Sequence, residues 1–238
     1  MYKQKSLVVF ILLAVTFISC QNEEHIVLKE DKANEAFKNW MKADLTEIFS
    51  NKNLNYTIDN EKLLELTSIE NVSEIRFIPG VINNELTIRI TAVDQSQNFL
   101  RDQWVEKGNG INILDQLKGK NMNSEIITDK EVASHKLSVE KTSRYLQNWN
   151  LKTSDDIYDL VTYNGERLRF IAYPAKLIQH IAKLETKNTT ITWGINDENK
   201  MTTVFLNLSL NRGISSYDDG SACPPYCPKE EKDKPEGN

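Results

Sequence analysis

The chain has little of what marks the common catalytic sites. Only nine glycines and three histidines are spread over 238 residues. No glycine-rich loop that would cradle a phosphate occurs, and no Gly-x-Ser-x-Gly elbow or His-Glu-x-x-His zinc helix. His25, His135 and His180 each stand far from a second metal-ligating residue in sequence, so neither a metal nor a cofactor is expected. The adjacent acids Asp155-Asp156 and Asp218-Asp219 fit a helix cap and a turn, which explains them without catalysis. No catalytic residue is assigned. Basic residues are also short: 29 Lys and Arg face 34 Asp and Glu, a net charge of −5. An acidic chain with no basic stripe excludes nucleic acid as the expected partner. After Ile18 no apolar run approaches the roughly 20 residues of a membrane span.

The one long apolar run stands at the start, MYKQKSLVVFILLAVTFISC. Lys3 and Lys5 open it, Leu7 to Ile18 is apolar on all sides, and Ser19 precedes Cys20. A basic start followed by an apolar core too short to span a bilayer reads as a secretory signal. A small residue and then Cys at its end resembles the bacterial lipobox. That resemblance implies cleavage before Cys20 and acylation of Cys20, giving a mature chain held to a membrane by several acyl chains. Phe17 stands where an aliphatic is usual, a departure common in lipoproteins of the Bacteroidota. Gln21, Asn22, Glu23 and Glu24 follow, and look like the export signal that moves such lipoproteins to the outer face of the outer membrane. The alternative is a plain acidic linker on a periplasm-facing protein.

Residues 20–29 read as a tether and 30–213 as an α+β domain. Ala33, Ala36, Phe37, Trp40, Met41, Leu45, Ile48 and Phe49 recur at helical spacing. Asp59 or Asn60 can cap a second helix, and residues 74–78 and 85–93 read as strands around an Asn83-Asn84 turn. The order returns later: a helix over 138–149 capped by Ser138, a helix opened by Pro174, and strands over 189–195 and 201–210. The expectation is two helix-helix-strand-strand repeats, about 28–100 and 135–212, sharing one antiparallel sheet of four strands with helices on one face. Residues 101–134 would connect them, with a short helix at 111–117.

The chain changes character in 214–238. Cys223-Pro224-Pro225-Tyr226-Cys227 lies there, followed by a charged end that reads as disordered. With Cys20 taken by lipid, Cys223 and Cys227 are a matched pair outside the cytoplasm, and a structural disulfide is the expectation. Their spacing is not the Cys-x-x-Cys of redox sites, and no second ligand pair for zinc accompanies them. A strand pair followed by Asp218 to Cys227, on an acylated chain of this size, is similar to a set of uncharacterised Bacteroidota outer-membrane lipoproteins. The resemblance implies a class and no chemistry. The expected role is therefore a lipid-anchored envelope protein that binds or scaffolds a protein or glycan without catalysis. The alternative is an accessory hydrolase or carbohydrate-binding surface lipoprotein, with Trp40, Trp104, Trp149 and Trp193 as candidate sugar platforms.

Overall fold

The computed structural model describes residues 31–50, 54–108, 110, 112–121, 126–153, 156–209, 213–218 and 220–228. Cys20, Gln21, Asn22, Glu23 and Glu24 lie outside the described residues, as does the charged end from Lys229.

The local signals translate directly into elements. Helix α1 covers residues 31–42 and buries Ala33, Ala36 and Trp40 along one stripe. Helix α2 (Leu45–Ile48) is capped by Asp44. Strand β1 (Asn55–Asp59) runs into α3 (Asn60–Thr67), whose cap Asp59 accepts the Glu61 N–H at 2.8 Å. Strands β2 (Val72–Ile82) and β3 (Glu85–Asp94) meet at Asn83 and Asn84, with φ of 52° and 59°. Asparagine tolerates that left-handed backbone, and the turn it makes matches strand twist. Strands β4 (Phe99–Trp104) and β5 (Glu106–Lys107) follow, then α4 (Ile113–Leu117) and α5 (Lys130–Ser134). Helix α6 (Val139–Leu151) starts at Ser138, whose hydroxyl accepts the Lys141 N–H at 3.1 Å. Helix α7 (Ile157–Leu160), the small hairpin β6 (Thr162–Tyr163) and β7 (Glu166–Arg167), β8 (Phe170–Pro174) and α8 (Ala175–Ala182) come next. The chain then lays down β9 (Asn188–Ile195), β10 (Met201–Ser209), β11 (Gly213–Tyr217) and β12 (Ser221–Cys223).

The α+β class holds, but the strands divide between two five-stranded antiparallel sheets instead of one shared sheet. Sheet A has the order β11-β10-β9-β1-β5, and sheet B the order β12-β8-β2-β3-β4. The hairpin β2–β3 is in one sheet and β9–β10 in the other. The segment expected as a tail from residue 214 supplies strands to both sheets, and part of the expected connector is strand β4. A helix, short helix, strand, helix and three-strand meander follow one another over 31–104; a similar order over 139–217 is interrupted by the β6–β7 hairpin between α7 and β8. The strand that precedes each meander does not join it. β1 pairs with β9 (Tyr56 opposite Ile191), and β8 pairs with β2 (Tyr173 opposite Ile75). Each sheet is therefore a three-strand meander completed by two strands from elsewhere in the chain, β1 and β5 in sheet A and β8 and β12 in sheet B.

The sheets pack face to face through large rings. Phe77 and Tyr173 of sheet B meet Phe205 of sheet A at centroid distances of 5.0 and 4.8 Å, with edge-on geometry. Each exchanged strand sends one tyrosine across the gap: Tyr56 donates to the Leu86 carbonyl and Tyr173 to the Thr203 carbonyl, both at 3.0 Å. The helices are not gathered on one face, as expected from sequence. Side chains alternate along a strand, so Gly194 faces away from Trp193 and Gly80 away from Phe77. A Cβ on Gly194 would lie 3.2 Å from Tyr145 of α6, and one on Gly80 would lie 3.1 Å from Ala36 of α1. Helices α6 and α1 thus cover the outer sides of sheets A and B, and α3 packs on α8.

The close approach at Gly194 gives a direct check. Its Cβ would also sit 3.0 Å from Val204 Cγ2, so Gly194→Ala must shift Val204 and Tyr145 of α6 by a few tenths of an ångström. We expect a loss of about 1–3 kcal/mol, the usual cost of overpacking, read by urea denaturation.

Candidate functional site

Strand β8 is where the terminal motif lands. Asp218 is 1% exposed; its carboxylate accepts the Thr202 hydroxyl and shares with the Thr203 carbonyl, each at 3.0 Å, the single proton of the Tyr173 hydroxyl. Its backbone is held as firmly: its N–H donates to the His135 carbonyl at 3.0 Å, and its own carbonyl lies 2.8 Å from His135 Nδ1. Two residues on, Gly220 passes the Tyr173 ring. A Cβ there would fall 2.4 Å from Tyr173 Cζ, so only glycine fits. β12 then pairs with β8, Ala222 opposite Ile171, and the Arg169 N–H donates to the Cys223 carbonyl at 2.7 Å. Cys223 and Cys227 form a disulfide with their Cα atoms 4.6 Å apart. Cys223 is buried against Phe170 and Ala172, beside Ile78. The guanidinium of Arg76 stacks 4.3 Å from the Phe170 ring centre and pairs with Glu74 at 2.8 Å.

The motif from Asp218 to Cys227 is thus a latch that closes the chain onto its own core. Turn chemistry does not explain Asp218, contrary to the sequence reading: it is a buried carboxylate bridging two sheets. Sequence reasoning also missed its partners Tyr173, Thr202 and His135. The only local signal was the alternation Ile214, Ser216, Asp218, which puts the acid on the same side of the chain as a buried isoleucine. Asp156 does act locally, accepting the Thr153 N–H at 2.7 Å ahead of α7.

Burial sets the electrostatics. The Tyr173 phenol is pushed well above its ordinary value, first by desolvation and then by the Asp218 charge. Tyr163 is pushed up to about 12 by burial, with the charges of Glu198, Tyr226 and Asp218 adding to it. The Tyr173 phenol is kept protonated, as a donor must be.

An open cleft of about 620 Å³ lies near the far end of β8. Asn71, Ser73, Asp94, Gln95, Glu131 and Lys176 line it, drawn from the loop before β2, the ends of β2 and β3, helix α5 and the first turn of α8. Lys176 reaches Glu131 and lies 3.4 Å from Asp129. Asp94 accepts the Asn98 N–H at 2.8 Å and its side-chain amide at 3.0 Å. Those bonds hold Asp94 below the usual carboxylate range, the Asn98 side chain contributing most. Asp129 is also held down, chiefly by the Val132 N–H. Neither acid is poised to give a proton at neutral pH. The hydroxyls and amides around these charges offer both donors and acceptors. Among the described residues no three His, Cys, Asp or Glu side chains gather as a metal site would require. Of the four tryptophans, Trp40, Trp149 and Trp193 are core residues, and Trp104 on β4 is half-buried.

Comparison with protein-family models, with curated proteins and with solved structures gave no match.

Two outcomes test the latch. Tyr173→Phe leaves the buried Asp218 carboxylate one donor short and should cost about 1–3 kcal/mol, as should Thr202→Val. The double variant should lose measurably less or more than the two together, because both act on one group. The pH dependence has a fixed sign. Because the folded Tyr173 binds its proton more tightly than the unfolded chain does, its contribution is complete below about pH 10 and declines above it. A urea titration series from pH 8 to pH 11 should show that decline, and Tyr173→Phe should make it shallower, the remainder coming from the other raised phenols, Tyr56 and Tyr163.

Proposed function

We propose that this chain is a lipid-anchored protein of the bacterial outer membrane that binds another macromolecule without catalysis. Cys20 carries the lipid, and Gln21, Asn22, Glu23 and Glu24 direct the protein to the cell surface. The observation that supports a binding role is the polar cleft beside α8. Its volume is within the range of about 300–1,000 Å³ typical of ligand sites. Its charged residues are matched to one another, so they are available for recognition and not for proton transfer. A protein loop or a glycan chain bearing hydroxyl and amide groups suits that lining. The latch around Asp218 is a structural device in this reading, not a reaction centre.

A second reading, an accessory that handles carbohydrate, draws on the same cleft. Asn71, Ser73, Gln95 and Ser96 form a row of groups that bind sugar hydroxyls well. The burial of three tryptophans leaves this polar row, and not an aromatic platform, as its basis.

Labelled palmitate should enter the wild-type chain and be lost in Cys20→Ser, and protease added to intact cells should digest the protein. A photo-crosslinking residue placed at Gln95 should trap a discrete protein adduct on intact cells. A reversal of charge at Lys176 should abolish that adduct. Binding to a glycan array without any protein adduct would replace the first reading with the second.

A further inference from the structure

The disulfide loop and the small β6–β7 hairpin meet at the Phe170 end of β8. The Arg169 N–H donates to the Cys223 carbonyl and the Leu168 N–H to the Val161 carbonyl, both at 2.7 Å, so neighbouring residues hold the root of the loop and the root of the hairpin. The turn between β9 and β10 joins them. Lys200 Nζ donates to the Asp159 and Thr162 carbonyls, each at 2.7 Å, and lies 4.8 Å from the centre of the Tyr163 ring. The Tyr163 phenol also feels the charges of Glu198 on that turn and of Tyr226 in the disulfide loop. Three segments distant in sequence thus share one patch of surface. The polar cleft, lined by Pro174, Ala175 and Lys176, is at the other end of β8.

The tryptophans Trp40, Trp149 and Trp193 are spent in the core, but this patch displays a ring. Tyr226 is 65% exposed. Its loop is not free to bury it: the Tyr226 N–H donates to the Ala222 carbonyl at 2.9 Å, and Cys227 is tied to the buried Cys223. A tyrosine has only two side-chain torsions, so a ring on a fixed backbone offers contact area at low entropic cost. Polar groups stand beside the rings. Lys200 has three N–H donors, gives two to carbonyls, and pairs with no carboxylate among the described residues. The Glu198 carboxylate is exposed and accepts no hydrogen bond from the described residues. The centre of a protein–protein interface is depleted of lysine and glutamate. A sugar is the better match: the C–H face of a pyranose lies on an aromatic ring, and its hydroxyls donate to the carboxylate and accept from the ammonium.

We propose that Tyr226 and Tyr163, with Lys200 and Glu198 beside them, form a platform that binds a neutral sugar chain. Tyr226 stacks on the sugar ring, and the ammonium and carboxylate read its hydroxyls. The disulfide then has a second task, which is to hold Tyr226 outward. The platform is separate from the cleft beside α8 and stands whichever macromolecule the cleft takes.

The test uses the full chain in detergent on an array of neutral oligosaccharides (β-glucans, xylans, mannans and galactans), followed by titration of the one bound best. Tyr226→Ala should weaken binding by about tenfold, the loss of one well-placed aromatic contact, and Tyr226→Trp should retain it. Glu198→Gln should weaken it by a smaller factor. All three variants should keep the wild-type urea midpoint, because both side chains are exposed. Unchanged binding in Tyr226→Ala overturns the platform, and so does failure to bind any sugar on the array. Loss of binding in Gln95→Ala but not in Tyr226→Ala moves the sugar to the cleft, which upholds the carbohydrate reading of the cleft and overturns the platform. Loss in Tyr226→Ala with Gln95→Ala unaffected supports the platform, whatever adduct forms at Gln95. A photo-crosslinking residue at Tyr226 that traps a discrete protein on intact cells, with no sugar bound on the array, replaces the glycan with a protein partner and overturns the proposal.

Discussion

The fold depends on two strands that sit in the wrong half. β1 belongs in sequence to the first meander and is hydrogen-bonded into the second, and β8 does the reverse. Neither meander can complete its sheet without a strand from the other. The two exchanged strands also carry Tyr56 and Tyr173, the residues that cross the gap between sheets and bond to backbone on the far side. Both rings are buried, so each hydroxyl needs a partner in place, and that need fixes how the sheets slide against one another.

Asp218, Gly220 and strand β12 build on one of those tyrosines. Tyr173 gives its hydroxyl to Asp218 and the side of its ring to Gly220, and its strand provides the edge for β12. A residue spacing that looked like punctuation between a strand and a pair of cysteines is thus set by the size of one phenol. The disulfide between Cys223 and Cys227 adds little to chain entropy, since it closes a very short loop. Its value is to hold Cys223 against Phe170 and Ala172 so that β12 keeps its register.

Local features were legible in the sequence because their causes are local. Ser138 and Asp59 announced helices α6 and α3, Asn83-Asn84 announced the first hairpin turn, and the alternation along residues 85–93 gave the buried side of β3. The pairing of strands was not legible. β1 and β9 are both largely buried strands, and nothing in Asn55 to Asp59 names Ile191 as the neighbour of Tyr56. One shared sheet was the economical guess, and exchange of β1 and β8 replaces it. The site was legible only in part. Asp218, Gly220 and the two cysteines stood out as a pattern, but Tyr173, Thr202 and His135 come from three other segments. The cleft is likewise assembled from residues 71–73, 94–96, 131 and 174–176, which only the sheet order brings together.

The exchange of β1 and β8 also has a consequence for how the chain reaches this structure. Tyr56 cannot take its place until Ile191 has been delivered, and the edge of β8 stays open until Cys223 arrives. Contacts so distant along the chain raise the contact order and slow the search for the native arrangement. β1 finds one neighbour, β5, within about fifty residues, but its other neighbour, β9, comes more than a hundred residues later. The edge between β1 and β9 is therefore set by parts of the chain far apart in sequence, not by neighbouring segments.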